Sequence, residues 1–196
     1  MKRDKPKLIL ASASPRRLAL LGQIGIMPNR IEPADLDENV GAGELPRTHA
    51  LRVACEKAEA VRARLPASES AVVLAADTVV ACGRRILPKA EDDATVTKCL
   101  KLLSGRRHTV ITAVAVIDAN AKLRTRLVET KVAFRKLEPD EIADYAASGE
   151  GLGKAGGYAV QGQAAVFVRF ISGSYTNVVG LPLTETFHML RACDVV

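Results

Sequence analysis

The chain has 196 residues, 48% of them hydrophobic, which is enough for a large core and fits one domain over 1–196, or a domain with a small lobe. A formal net charge of +6 points to an anionic ligand, and with no Trp, four Phe and three Tyr there are few platforms for stacking bases, so composition favours a small phosphorylated ligand over stable nucleic-acid binding. Cys55, Cys82, Cys99 and Cys193 stand far apart without a C-x-x-C pair and His49, His108 and His188 are scattered, which argues against zinc sites and disulfide frameworks and leaves reduced thiols in a cytosol and a hard, carboxylate-bound cation as the expectations.

Met1-Lys2-Arg3-Asp4-Lys5 is basic like the start of a leader, but the apolar run behind it covers only 8–11, too short to target or span a membrane. That run reads as a strand, and Ser12-Ala13-Ser14-Pro15-Arg16-Arg17 turns it into a helix start. Ser14 suits an N-cap, Pro15 the first helical position, and 16–21 a short helix stopped by Gly22. Free amides, two guanidiniums and two hydroxyls make a site for a phosphate group, against the plainer alternative of a capped helix with solvated arginines.

A short extended segment is expected at 29–33. The acidic loop after it carries Asp35, Asp37 and Glu38, for which solvation is the commoner explanation. From 47 to 65 the apolar residues Ala50, Leu51, Ala54, Ala58, Val61 and Leu65 follow helical spacing, and Pro66 ends the segment. Lys57 lies at the edge of this stripe, either reaching toward a pocket or snorkelling, whereas Arg52, Glu56 and Glu59 project away from it.

The run 71–76 reads as a central strand interrupted by Asp77-Thr78 before 79–81 continues it. A carboxylate inside a buried run must be paired, solvated in a cleft or bound to metal, which makes Asp77 the leading functional candidate; a turn-forming Asp is the alternative. Gly83-Arg84-Arg85 reads as a hairpin turn. Lys89 then precedes a helix opened by Glu91-Asp92-Asp93, faced by Val96, Cys99, Leu100 and Leu103, and closed by Gly105. Lys89 either reaches a phosphate or decorates a loop.

Two β-branched runs, 109–117 and 127–134, form an expected antiparallel pair. A helix over 139–147, a strand over 164–171 and a helix over 184–193 follow. Gly151, Gly153 and Gly156 satisfy G-x-G-x-x-G, but the segment follows a helix instead of a strand, and Ser148 and Ala155 break a Walker A match. What remains is an amide-rich loop with Lys154, and Gln161 beyond it offers the donor and acceptor that reading a base edge needs; a surface glutamine is the commoner case.

Taken in order, 10–17, 76–80, 103–108, 154–162 and 173–183 resemble the motifs of the Maf-type nucleoside triphosphate pyrophosphatases, over nearly the whole chain. The resemblance implies an elongated α/β fold with a central mixed sheet, flanking helices and two lobes around a cleft, usually dimeric. It implies hydrolysis between the α- and β-phosphates of a nucleotide with Mg2+ or Mn2+, a homodimer in the cytoplasm, and an association of the family with septum formation. Ser12, Arg17, Glu38, Lys57 and Asp77 match site residues common to its branches, with Glu38 and Asp77 as metal ligands and Asp77 as base. Arg16, Lys89 and Gln161 match positions that mark the branch acting on dTTP and UTP. Two departures stand out: Pro88-Lys89-Ala90 replaces the family's usual Gly-Lys-Pro, and Glu38 is aligned only by its neighbours, with Asp37 a possible substitute. The competing expectation is a non-catalytic regulator of cell division that binds nucleotide or a partner.

Overall fold

Leu8, Ile9 and Leu10 are sealed from solvent on both sides of their strand, as a continuous apolar run demands. The computed structural model describes residues 5–66 and 68–196; Met1-Lys2-Arg3-Asp4, most of the basic start noted above, lies outside them. The strands are β1 (Lys7–Leu10), β2 (Arg30–Ile31), β3 (Ala71–Cys82), β4 (Arg85–Leu87), β5 (Arg107–Ile117), β6 (Leu123–Phe134) and β7 (Val168–Ser172). They form a mixed sheet in the order β2-β1-β3-β5-β6-β7, with β4 folded onto β3. β1 is parallel to β2 and β3, and the remaining pairs are antiparallel.

The helices are α1 (Pro15–Gln23), α2 (Pro46–Arg64), α3 (Asp93–Leu103), α4 (Pro139–Ala147), α5 (Tyr175–Val179) and α6 (Leu183–Arg191). One face of the sheet is covered by α2, whose Ala50, Ala54 and Ala58 recur every four residues and pack with Val61 against Ile9, Val73, Ala75 and Ala113. The other face carries two separate cores. Leu20 and Leu21 of α1 and Met189 and Leu190 of α6 pack on Leu10, Val72, Leu74 and Val114. Farther along the same strands, Val96 and Leu100 of α3 and Ile142 and Tyr145 of α4 pack on Val80, Val110, Val132 and Phe134.

The change from one core to the other falls at Thr78 on β3 and at Thr112 on β5, which are directly paired across the ladder. A second feature sits beside it. The β1 side of β3 is paired with β1 through 71–74 and with β4 through 80–82, so residues 75–79 have no strand neighbour there, and Asp77 is at the centre of that gap. The strand passes straight through Asp77, which pairs with Ala113, so the turn-forming alternative fails.

Several expected boundaries move. α1 runs past Gly22 to Gln23 and ends before Gly25, which takes the left-handed φ of 70°. In α2 Leu51, expected on the apolar stripe, is exposed, while Val53 and His49 are buried. The strand expected over 164–171 is only β7; Gln163–Phe167 is a 3-10 turn, because Ala164 and Phe167, three apart, both face the core. The short helix α5 was not anticipated, although Ser174 caps its start by accepting from Asn177 N–H and Gly180 follows its end.

Candidate active site

The gap beside β3 opens a cavity of about 990 Å3, and Ser12, Arg16, Arg17, Glu38, Lys57, Asp77, Lys89 and Gln161 all line it. Four parts of the chain contribute: the β1–α1 turn, the acidic loop with α2, the middle of β3, and the segments around Lys89 and Gln161.

Arg17 is the most firmly held cation. Its Nε donates to the Gly180 carbonyl at 2.9 Å, Nη1 to Ser12 Oγ at 2.9 Å and Nη2 to Thr78 Oγ1 at 3.3 Å. Burial lowers its pKa, countered mainly by the Asp77 charge. The Arg16 side chain, one residue earlier, makes no hydrogen bond or ion pair among the described residues, and burial lowers its pKa too. The helix start is leaner than expected. Ser14 occupies the N-cap position without a side-chain bond, its own N–H donates to Ser12 Oγ at 3.3 Å, and Arg17 N–H donates to the Ser14 carbonyl. The amides left open to an anion in this turn are therefore those of Ser12, Ala13 and Arg16.

Across the cleft, Lys57 Nζ lies 2.9 Å from Asp77 Oδ1 and 2.8 Å from Glu38 Oε1. Lys57 is 7% exposed and Asp77 also 7%, so the lysine is no snorkelling side chain. Burying a carboxylate costs several kcal/mol unless it is paired, and Lys57 supplies the partner. Asp37 turns aside to accept from Asn39 N–H at 2.9 Å and does not line the cavity, so the side chain from the acidic loop that faces Lys57 is Glu38.

Lys89 is exposed and its backbone is stitched to the glycine loop. Ala90 N–H donates to the Lys154 carbonyl at 3.0 Å, Gly153 N–H to the Ala90 carbonyl at 2.7 Å, and Gly156 N–H to the Pro88 carbonyl at 3.0 Å. This accounts for Ala90, since a proline there has no N–H to donate. Gln161 is exposed at the rim, and its segment is tied on both sides: Ala159 N–H donates to Tyr145 Oη at 3.0 Å, and Gln163 N–H to Glu150 Oε2 at 3.0 Å. Tyr158 Oη is 2.8 Å from His108 Nε2, joining this segment to β5.

The sequence reading missed the polar seam behind Arg17. Thr78 Oγ1 is 3.0 Å from Thr112 Oγ1, Thr112 donates to the Asn177 carbonyl at 3.2 Å, and Asn177 Nδ2 donates to Thr130 Oγ1 at 3.0 Å. Thr112, Thr130 and Asn177 are fully buried. Thr112 interrupts the apolar run of β5 just as Asp77 interrupts that of β3, which is the signal that could have found it.

Fold and site together define an α/β protein whose cleft, at the gap between β1 and β4 beside β3, gathers cations for an anionic ligand beside two carboxylates. The family is plain from comparison with known proteins: the chain belongs to the Maf family, whose model, described as Maf-like protein, matches residues 7–193. A dTTP/UTP pyrophosphatase of Caulobacter vibrioides is 59% identical over 185 residues, covering 94% of each chain. One of Paramagnetospirillum magneticum is 59% identical over 183 residues, covering 93% of this chain and 95% of its own. Among solved structures, a nucleoside-triphosphatase, dITP/XTP pyrophosphatase, from Mycobacterium abscessus matches with a TM-score of 0.41 and 21% identity, over 67% of this chain and 75% of that one.

Proposed function

We propose that the chain is a nucleoside triphosphate pyrophosphatase acting on dTTP and UTP, converting the nucleotide and water to the monophosphate and pyrophosphate. The observation that carries the reading is the meeting of Glu38 and Asp77 on Lys57 in the cleft that also holds Arg17 and Ser12. Relatives named dTTP/UTP pyrophosphatase at 59% identity support the choice of substrate. A regulator that only bound nucleotide would gain nothing from two carboxylates facing a phosphate chain.

Arg17, fixed by three oxygen acceptors, holds the phosphates without reorganising during the reaction, which is where such a cation is most effective. Ser12 Oγ and the Arg16 amide add neutral contacts to the same group. Asp77 Oδ1 is engaged by Lys57, so Oδ2 is the oxygen that takes a proton from the attacking water. The water oxygen bonds to the α-phosphorus, the bond from that phosphorus to the bridging oxygen breaks, and pyrophosphate leaves with the electron pair. Lys57 holds Asp77 and Glu38 in place until substrate arrives.

The donor set fits a divalent cation. Two carboxylates already converge on one positive charge, the Lys57 ammonium, and no group of three or more His, Cys, Asp or Glu among the described residues could hold a metal alone. Glu38 and Asp77 would thus hold Mg2+ or Mn2+ with nucleotide oxygens completing the shell, as hard cations bind at phosphate sites. When bound, the cation supplies Lewis-acid polarisation of the phosphoryl oxygens. Arg16, Lys89 and Gln161 are assigned to substrate choice. The reading also takes the chain as a single catalytic domain over 1–196, working as a cytoplasmic homodimer.

The test is an assay of purified protein with Mg2+ or Mn2+ against a panel of nucleoside triphosphates. Monophosphate and pyrophosphate in equal amounts, fastest from dTTP and UTP, is the expected result. Inorganic phosphate with the diphosphate, or no turnover, would overturn the assignment.

A further inference from the structure

Glu38 lies on a stretch, 32–44, that has neither helix nor strand. Its side chain is 44% exposed, and Lys57 is its one ion-pair partner among the described residues. Packing alone therefore does not hold it over the cleft, and the holding group is on α2. Arg52 Nε donates to Glu44 Oε1 at 2.8 Å and its Nη2 donates to Glu44 Oε2 at 2.9 Å, a bidentate pair. The same Nη2 donates to the carbonyl of Asn39, the residue after Glu38, at 3.0 Å.

Glu44 closes the loop on itself. Its Oε2 accepts from Gly41 N–H at 2.9 Å, and its own N–H donates to the Gly41 carbonyl at 3.0 Å. The same oxygen lies 2.9 Å from Nδ1 of His49, and that ring nitrogen is also 3.2 Å from Arg52 Nη2, so the imidazole closes the cluster on its inner side. The Glu44 side chain is 11% exposed and Arg52 32%, so the carboxylate is the shielded half of the pair. These bonds hold the Glu44 carboxyl well below the usual carboxylate range.

We infer that Glu44 and Arg52 form a positioning clamp that sets Glu38 over the cleft: α2 grips this residue twice, by its neighbouring carbonyl through Arg52 and by its carboxylate through Lys57. The clamp rests on the reading of Glu38 as a cation ligand and adds what fixes that ligand in space. Outer partners that orient a metal-binding side chain commonly change metal affinity by about tenfold to a hundredfold. The fork geometry matters, because lysine offers a point charge and cannot bond both Glu44 oxygens and the Asn39 carbonyl in one plane.

The experiment measures Mn2+ binding by the loss of the free-ion electron paramagnetic resonance signal, with an α,β-methylene nucleotide that cannot be cleaved. Amide hydrogen exchange over 38–44 is followed without metal. Arg52→Gln and Glu44→Gln should each weaken Mn2+ binding by about tenfold or more and speed exchange at 38–41, while metal-free binding of the analogue stays as in the parent. Arg52→Lys should not restore the parent affinity. In a Glu38→Gln background, Arg52→Gln should cause no further loss, because its effect runs through Glu38.

An unchanged Mn2+ affinity in both Arg52→Gln and Glu44→Gln, with Glu38→Gln weakened, overturns the clamp and leaves the ligand reading standing. Equal losses from Arg52→Gln with and without Glu38 also overturn it. A parent-like Mn2+ affinity in Glu38→Gln removes the ligand reading, and the clamp with it. Should Arg52→Gln melt below the assay temperature, Glu44→Gln, which keeps the side-chain shape, decides the matter.

Discussion

Asp77→Asn tests the proton-accepting and cation-holding roles of this carboxylate together, because it changes charge and almost no volume. The residue is 7% exposed, its backbone is paired with Ala113 in the middle of β3, and its Oδ1 accepts from Lys57 Nζ at 2.9 Å. The amide keeps the strand and still offers an oxygen to Lys57, while Glu38 continues to neutralise the ammonium at 2.8 Å. A hydrogen bond to a charged group contributes about 1.5–3 kcal/mol, and with its geometry retained and Glu38 sharing the charge, we expect a loss of about 1–2 kcal/mol. At about 2–4 °C per kcal/mol for a chain of this size, the melting temperature falls by about 2–8 °C. General-base catalysis is worth about 10²–10⁴-fold, or about 3–5 kcal/mol in the barrier, so turnover should fall far more than stability does. Pyrophosphate release and thermal melting on the same preparation check both numbers. Turnover within a factor of ten of the parent would refute the base assignment, and a melting transition below the assay temperature would assign the loss to folding.

Thr112→Val leaves the buried Asn177 carbonyl without this donor and takes one partner from the half-buried Thr78 Oγ1, so it should cost about 1–3 kcal/mol, read as a drop in chemical-denaturation midpoint with an unchanged slope. His108 is buried and its pKa is lowered to about 4 from 6.5, so the unfolded chain binds the extra proton first. The stability it contributes is complete above about pH 6.5 and is lost as pH falls toward about 4, by about 3 kcal/mol in all; His108→Phe should flatten the stability profile across that window. Arg17→Ala should lower kcat/KM for every nucleotide alike, because the guanidinium is locked to Ser12, Thr78 and Gly180. Arg16→Ala should instead change the ranking of nucleotides, and matching kinetic profiles for the two variants would end that division of labour.

Most strands and helices were legible because their signals are local: Pro15 and Pro139 at helix starts, Asp92 as an N-cap accepting from Thr95 N–H, and Gly83 with φ 62° in the hairpin. The strand expected over 164–171 holds only from Val168 on, because the apolar residues before it follow a spacing of three and not of two. Ala164 and Phe167 bury by a 3-10 turn, and only 168–172 joins the sheet. In the site, Asp77 and Lys57 were readable from a charge breaking an apolar pattern, a signal that survives without coordinates. The partners that fix Arg17 were not, because Ser12, Thr78 and Gly180 lie 5, 61 and 163 residues away from it. Such long-range bonds leave no periodicity, but they share a cause. The apolar rows of β3 and β5 each switch core at one threonine, Thr78 and Thr112, and the seam between the two cores is where polar side chains can be satisfied without solvent. A protein with one continuous core on that face would have no such seam, and an arginine placed there would be buried without acceptors. The division into two cores is therefore what allows a rigid cation at the floor of the cleft.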